Sequence, residues 1–138
     1  SMSDDESIYP LPVNHLGRLH DDLSLKILYS ACDVMVVPSL QENLANTIME
    51  ALACGVPVVG FDIGGNSDMV NHKVNGYLAK PYSSDDLAFG INWVIEHESY
   101  DELSLDARAT VLRKFDSHKV ASQYLDLYQS VIQGNWIP

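Results

Sequence analysis

Positive charge is scarce in this chain. Eight lysines and arginines stand against 19 aspartates and glutamates, a formal net charge of −11 over 138 residues. Nucleic-acid binding needs a basic patch, so that class of function is set aside. A polybasic membrane anchor is set aside on the same ground. Long apolar runs are lacking too. None approaches the roughly 20 residues that span a bilayer, and no secretory apolar region opens the chain. Cysteine is nearly absent. Cys32 and Cys54 lie 22 residues apart in helical contexts and read as buried thiols of a reduced protein, not a disulfide or redox pair. There is no Gly-rich loop of the P-loop or dinucleotide type. His15, His20, His72, His97 and His118 show no metal-ligand spacing and are read as surface or satisfied residues. No Ser/His/Asp arrangement can be argued. Asp33 and Asp62 are too far apart to suggest the acidic cluster of a response regulator. No internal repeat or low-complexity tract is present.

What is present is an ordinary globular composition, 46% hydrophobic, in a chain long enough for one domain with a core. The chain is organised around residues 34–61. Residues 34–37, Val-Met-Val-Val, are a short apolar run of the kind buried on both faces of a parallel sheet. Pro38 ends that strand, since it cannot donate to a ladder. A polar loop carrying Glu42 follows. Residues 45–54 have helical composition, with Ile48, Met49 and Leu52 at core spacing. Gly55 reads as the helix stop, with Pro57 just beyond. Residues 56–61 read as a second buried strand.

Open α/β sheets bind ligands beyond the carboxyl ends of their strands. The loop at residues 39–46 occupies such a place. Free N–H groups around Asn46 and Thr47 can hold a phosphate, and the helix dipole favours negative charge there. Glu42 and Glu50 flank that point. Ionised carboxylates are pure acceptors, suited to vicinal hydroxyls. Phosphate at a helix start with hydroxyls on either side describes a sugar nucleotide. Because a diphosphate is anionic and this chain is acidic, local cations or helix dipoles must hold it.

These residues also carry a resemblance. Pro38-Ser39-Leu40-Gln41-Glu42, seven residues, then Glu50-Ala51-Leu52-Ala53-Cys54-Gly55-Val56-Pro57-Val58-Val59 matches P-S-x-x-E, seven residues, E-A-x-A-x-G-x-P-V-V at every fixed position. The segment resembles the donor-binding core of the retaining GT-B glycosyltransferases. These are the group 1, family 4-like enzymes that include glycogen-synthase-like and mannosyltransferase-like members. Many members have Gly-Phe-Gly after the first Glu. Here Asn43-Leu44-Ala45-Asn46 stands instead, similar to a bacterial surface-polysaccharide branch, capsule assembly included. By the resemblance, Glu42 is the candidate catalytic group facing the transferred sugar, and Glu50 holds the ribose hydroxyls. Asn43, Leu44, Ala45, Asn46 and Thr47 line the donor, the last two presenting N–H groups to the diphosphate. No two aspartates are separated by one residue, so the D-x-D metal site of the other large glycosyltransferase class is absent, and no metal or cofactor is implied. The nucleoside diphosphate sugar enters as donor substrate.

In chain order, Ser1 ahead of Met2 reads as an expression remnant, and residues 1–12 as an acidic lead-in. Residues 13–16 read as a short strand, with Gly17-Arg18-Leu19-His20 the turn after it. By the resemblance Arg18 and Leu19 are base-contact candidates; a turn glycine beside a solvated Arg is the alternative. Asp21 and Asp22 read as caps of a helix at 23–31, with Leu23, Ile27 and Leu28 on one face. Tyr29-Ser30-Ala31-Cys32-Asp33 is similar to the family's Y-x-x-A-D, with Cys32 as the departure. Gly64-Gly65-Asn66-Ser67-Asp68 stands where the family has G-G-x-x-E. Gly64 and Gly65 permit close backbone approach to a ligand, or form a turn with the N-cap of a short helix at 67–71. Asn75-Gly76 suggests a tight turn with positive φ feeding an edge strand closed by Pro81. Ser84 is expected to cap a helix at 85–96, with Leu87, Ile91, Val94 and Ile95 inward. Ser99 and Glu102 suggest a capping box for a helix at 100–114. Asp116 or Ser117 caps the last helix, in which Val120, Tyr124, Leu127, Tyr128 and Val131 read as core. Gly134 ends it, and Trp136 is a candidate terminal anchor.

The expected fold is α/β, a Rossmann-like parallel sheet flanked by helices, forming part of the C-terminal domain of a GT-B fold. Residues 13–133 are the nucleotide-sugar-binding domain, truncated at its N-terminal side, and 134–138 a tail. The resemblance implies upstream strands with a phosphate-neutralising Arg and Lys, and an N-terminal acceptor-binding domain of the same protein. The implied whole is a metal-independent hexosyltransferase, cytoplasmic or peripheral at the inner face of the membrane. It would move sugar from a nucleoside diphosphate sugar to a saccharide or lipid-linked acceptor. The 138-residue piece alone is expected to be inactive, and its truncated sheet to favour self-association. The alternatives are a sugar-nucleotide epimerase, a nonenzymatic sugar-nucleotide-binding module and an α/β interaction module.

Overall fold

The structure is a computed structural model and describes residues 10–41 and 46–134. Its centre is a sheet of three parallel strands, β1 (Met35–Val37), β2 (Val58–Phe61) and β3 (Gly76–Ala79), in the order β1-β2-β3. Met35 pairs with Val58, and Val58 in turn with Gly76. Every residue of β2 is buried, which is why it reads as an unbroken apolar run. Successive side chains leave a strand on opposite faces, so Val58 and Val59 enter different cores. Val58 packs with Tyr29, Ile48, Leu52, Met69 and Ala107. Val59 packs with Phe61, Tyr77, Ala79 and Val94.

Helices α1 (Asp22–Ser30), α2 (Asn46–Ala53), α3 (Asn66–Met69), α4 (Ser84–Ile95), α5 (Tyr100–Lys114) and α6 (Ser117–Ile132) complete the chain. The expected α2 core holds: Ile48 and Leu52 are wholly buried, and Met49 is half-buried. Burying a side chain of that size contributes about 1.5–3 kcal/mol. Gly55 stops α2 with φ of +79°, as its place after the helix implies. Asp21 caps α1, its carboxylate accepting from the Ser24 amide at 2.8 Å. Asp116 caps α6, accepting from the His118 and Lys119 amides.

Several expectations are corrected. Residues 13–16 form no strand, and Leu16 is exposed. A strand needs a ladder partner, and no described strand lies beside them. In α1 the side chains that meet the core are Leu25 and Tyr29, while Leu23 and Ile27 are exposed and Leu28 is half-buried in a groove beside Ile27. The ridge of Leu25 and Tyr29, one turn apart, is the one that meets the core. The cap of α4 is Ser83, not Ser84, and Ile95 is exposed. Ser99 stands at the N-cap of α5 without a side-chain bond, so there is no capping box; its carbonyl accepts from Glu102 instead. The short helix begins at Asn66 with Gly65 as N-cap, ahead of Ser67. Positive φ falls on Lys73, at 61°, rather than on the Asn75-Gly76 pair. The largest correction is α6. None of its residues is buried, and Tyr124, Leu127, Tyr128 and Val131 are exposed. Helical periodicity marks a face that can be buried and does not supply the partner. Cys32 and Cys54 are free and half-buried, so they form no disulfide. Trp136 lies outside the described residues.

The turn between β3 and α4 is held by Asp86. Its carboxylate accepts from the Lys80 amide at 2.7 Å and from the Tyr77 hydroxyl at 3.0 Å. The Lys80 amide above all holds the Asp86 carboxyl below its ordinary value, with the Tyr77 hydroxyl adding to it. A carboxyl lowered on folding stabilises the fold above its unfolded value of about 3.9, and that support is lost as pH falls through the lower folded value. Denaturation midpoints followed from pH 7 to 2 should therefore fall less steeply below pH ~4 in Asp86→Asn than in wild type. Identical slopes would show that the clamp is not formed in solution.

Candidate functional site

The carboxyl end of β1 is Val37, and α2 begins nine residues later at Asn46. Glu42, Asn43, Leu44 and Ala45 lie outside the described residues. Asn46 and Thr47 open α2 and are exposed, leaving the start of the helix accessible. Glu50 stands one turn further on and is also exposed. Its Oε2 accepts a hydrogen bond from the Tyr29 hydroxyl at 3.0 Å. The Tyr29 ring is 6% exposed and belongs to the core under α1 and α2. Burial, and then the hydrogen bond from Tyr29 to Glu50, pushes the Tyr29 hydroxyl up to about 12. It is therefore a proton donor throughout the neutral range.

Tyr29 and Glu50 open into a cleft of about 400 Å³ between α1, α2 and α5. Asp22, Lys26, Cys54 and Arg108 share its walls. Arg108 is anchored to the C-terminal end of α2, its Nη1 donating to the Ala53 carbonyl at 3.2 Å. Two cations and the Asp22 carboxylate thus line the same cleft as Glu50. Lys26, Tyr29 and Arg108 are not site candidates on sequence alone. Tyr29 sat within a matched motif, but nothing in that motif shows which residue its hydroxyl reaches. Lys26 and Arg108 carry no sequence signal, because they arrive from helices distant along the chain.

The second ligand-side loop follows β2. Gly64 is exposed with φ of +50°, a conformation glycine adopts without strain, while Gly65 is buried at the N-cap of α3. Asn66 is wholly buried, and its Nδ2 donates to the Phe61 carbonyl at 2.9 Å. Its Oδ1 has no partner among the described residues. A Cβ at Gly60 would lie 3.3 Å from the Val37 carbonyl and 3.5 Å from Asn66 Nδ2. The Gly64 loop therefore sits beside the end of β1, on the side from which α2 departs. Arg18 and Leu19 are elsewhere. Arg18 is exposed, and Leu19 lines an apolar groove with Leu16, Ile27 and Leu28 on a different face of α1. The structure does not bring them to the Glu50 cleft. Among the described residues, no group of three histidine, cysteine or acidic side chains could hold a metal, and no described helix is long and apolar enough to cross a membrane.

Parallel strands whose carboxyl ends lead into loops and helices form the arrangement at which open α/β sheets bind their ligands. Residues 12–110 match the family of glycosyl transferases group 1, and the chain belongs to that family. It is 32% identical over 130 residues to an uncharacterised glycosyltransferase of Methanocaldococcus jannaschii, covering 91% of this chain and 33% of that protein. It is 31% identical over 123 residues to the N,N'-diacetylbacillosaminyl-diphospho-undecaprenol alpha-1,3-N-acetylgalactosaminyltransferase of Campylobacter jejuni, covering 88% of this chain and 32% of that one. Among solved structures it is similar to Anabaena HepE in complex with UDP and glucose. The TM-score there is 0.68 at 34% identity, over 75% of this chain and 29% of that one. The chain thus spans about a third of the length of the curated relatives it matches. The expected α/β fold, a parallel sheet flanked by helices, is the one observed.

Proposed function

We propose that this chain is the donor-binding part of a retaining glycosyltransferase acting in polysaccharide assembly, capsule assembly included. The observation that carries the reading is Glu50. It is an exposed carboxylate on the first turns of α2, within the family match, beside Lys26 and Arg108. In this reading the donor ribose lies at Glu50, whose ionised oxygens accept from the vicinal hydroxyls. The diphosphate lies at the N–H groups of Asn46 and Thr47, where the helix dipole favours it. Glu42 faces the transferred sugar, with Asn43, Leu44 and Ala45 beside it. Gly64 and Gly65 allow the backbone to approach the donor closely. No metal is needed where cations and helix N–H groups stabilise a departing diphosphate. The departing phosphate then assists removal of the acceptor proton.

A saccharide or lipid-linked acceptor would be held by an N-terminal domain of the same protein. The name of the Campylobacter relative, with its diphospho-undecaprenol acceptor, supports the lipid-linked case; in this reading the protein works at the inner face of the membrane. The HepE complex supports a nucleoside diphosphate sugar as donor.

Calorimetric titration of the full-length protein with UDP, GDP and ADP tests the reading. Tight binding of one nucleotide is expected and names the base. A folded protein that binds none of them would leave a nonenzymatic interaction module as the better account. The isolated 138-residue chain is expected to show no turnover. It is also expected to self-associate through the open edge of β1. Sedimentation as a strict monomer at high concentration would count against that second expectation.

A further inference from the structure

The hydrogen bond between Tyr29 and Glu50 joins a fixed group to a free one. The Tyr29 ring is packed into the core with Ala51, Leu52 and Ala107. Its hydroxyl therefore has one position, set by the ring. Glu50 by contrast is an exposed side chain whose other oxygen, Oε1, has no partner among the described residues. An exposed glutamate ordinarily samples many rotamers, and a ligand that needs one of them must overcome that freedom. Here the phenol selects the rotamer before any ligand arrives. It holds Oε2 and leaves Oε1 for a ligand in the cleft that Lys26 and Arg108 also line.

We propose that Tyr29 is a positioning residue for donor binding, fixing the Glu50 carboxylate so that it discriminates ribonucleotides from 2′-deoxyribonucleotides. The inference rests on Glu50 holding the donor ribose. A carboxylate with one oxygen already occupied presents a directed acceptor, and a directed acceptor rewards a hydroxyl in one place. Loss of the phenol keeps the acceptor but frees its direction. The preference for the 2′-hydroxyl should then fall more than the packing of the protein does.

The test uses the full-length protein and two probes, the preferred nucleoside diphosphate and its 2′-deoxy form. Tyr29→Phe keeps the ring and its packing and removes only the hydroxyl. It should weaken ribonucleotide binding about fivefold, as expected for one hydrogen bond. The 2′-deoxy form should lose less, so the ratio of the two affinities narrows. In a Glu50→Ala background the same change should have no further effect on either probe. Thermal unfolding reads the packing separately. Equal losses for both probes would make Tyr29 merely structural and overturn the proposal. So would unchanged affinities in Tyr29→Phe while Glu50→Ala still weakens binding, an outcome that leaves the donor site itself standing. Absence of binding by the wild-type protein would sink the donor site and the positioning role together.

Discussion

Glu50→Ala in the full-length protein is expected to weaken nucleoside diphosphate binding by about ten- to a hundredfold. A hydrogen bond to a charged group contributes roughly 1.5–3 kcal/mol, and 1.4 kcal/mol is tenfold in affinity. Alanine is the best helix former, so α2 should persist without the carboxylate. Glu50 is exposed, so its removal creates no core cavity. The Tyr29 hydroxyl loses its acceptor but lies at the wall of an open cleft, where water can replace it. Affinity should therefore fall while the unfolding temperature moves little. Glu50→Gln keeps the length and one acceptor oxygen and should fall between the two. If Glu50→Ala binds nucleotide as tightly as wild type, the carboxylate is not a ligand group. The family match would then have to be read through other residues.

Gly76→Ala should be the most damaging single methyl in the described fold. Gly76 opens β3 opposite Val58, in the middle strand of the sheet. A Cβ there would collide with the Val58 carbonyl oxygen and would lie 2.9 Å from its nitrogen and 3.0 Å from its carbonyl carbon. These are backbone atoms of a fully buried strand, so no side chain can swing aside. Relief would need β3 to move off β2, breaking ladder bonds and the packing of Tyr77 against Val59 and Val94. Overpacking of a rigid site typically costs about 1–3 kcal/mol, and this one belongs at the upper end. For a chain of this size that is a fall in unfolding temperature of roughly 10 °C. Circular dichroism melts of the two proteins would measure it. A fall of less than about 2 °C, under the ~1 kcal/mol minimum for overpacking, would mean that the register at Val58 and Gly76 is not the one described.

The same glycine shows what a sequence can hide. Asn75-Gly76 resembles a turn signal, and positive φ is the reason it suggests for the glycine. In the structure the turn's positive φ falls on Lys73, and Gly76 is needed for the closeness of a neighbouring strand. Local chemistry cannot distinguish the two, because the neighbour is 18 residues away along the chain. Residues 13–16 mark a similar limit. Their composition suits a strand, but a strand forms only beside another, and none lies next to them among the described residues. In α6 the spacing of Val120, Tyr124, Leu127, Tyr128 and Val131 correctly signals an amphipathic helix, yet the face lies open.

The sequence alone determined the parallel α/β architecture, because apolar runs too short for helices alternate with helical segments. It determined β2, since a strand buried on both faces must be apolar throughout. It determined α2 and its stop, since Ile48 and Leu52 repeat at helical spacing and Gly55 alone tolerates the left-handed exit. It also marked Glu50 as a candidate, through the spacing of the matched motif. Only the tertiary structure decided that Tyr29 reaches Glu50, that Lys26 and Arg108 join it from α1 and α5, and that Arg18 and Leu19 stay on another face of α1. The physical reason is range. Helix periods, caps and strand runs are set by neighbours within a few residues. Which face turns inward, and which distant side chains converge on one carboxylate, is set by packing between elements.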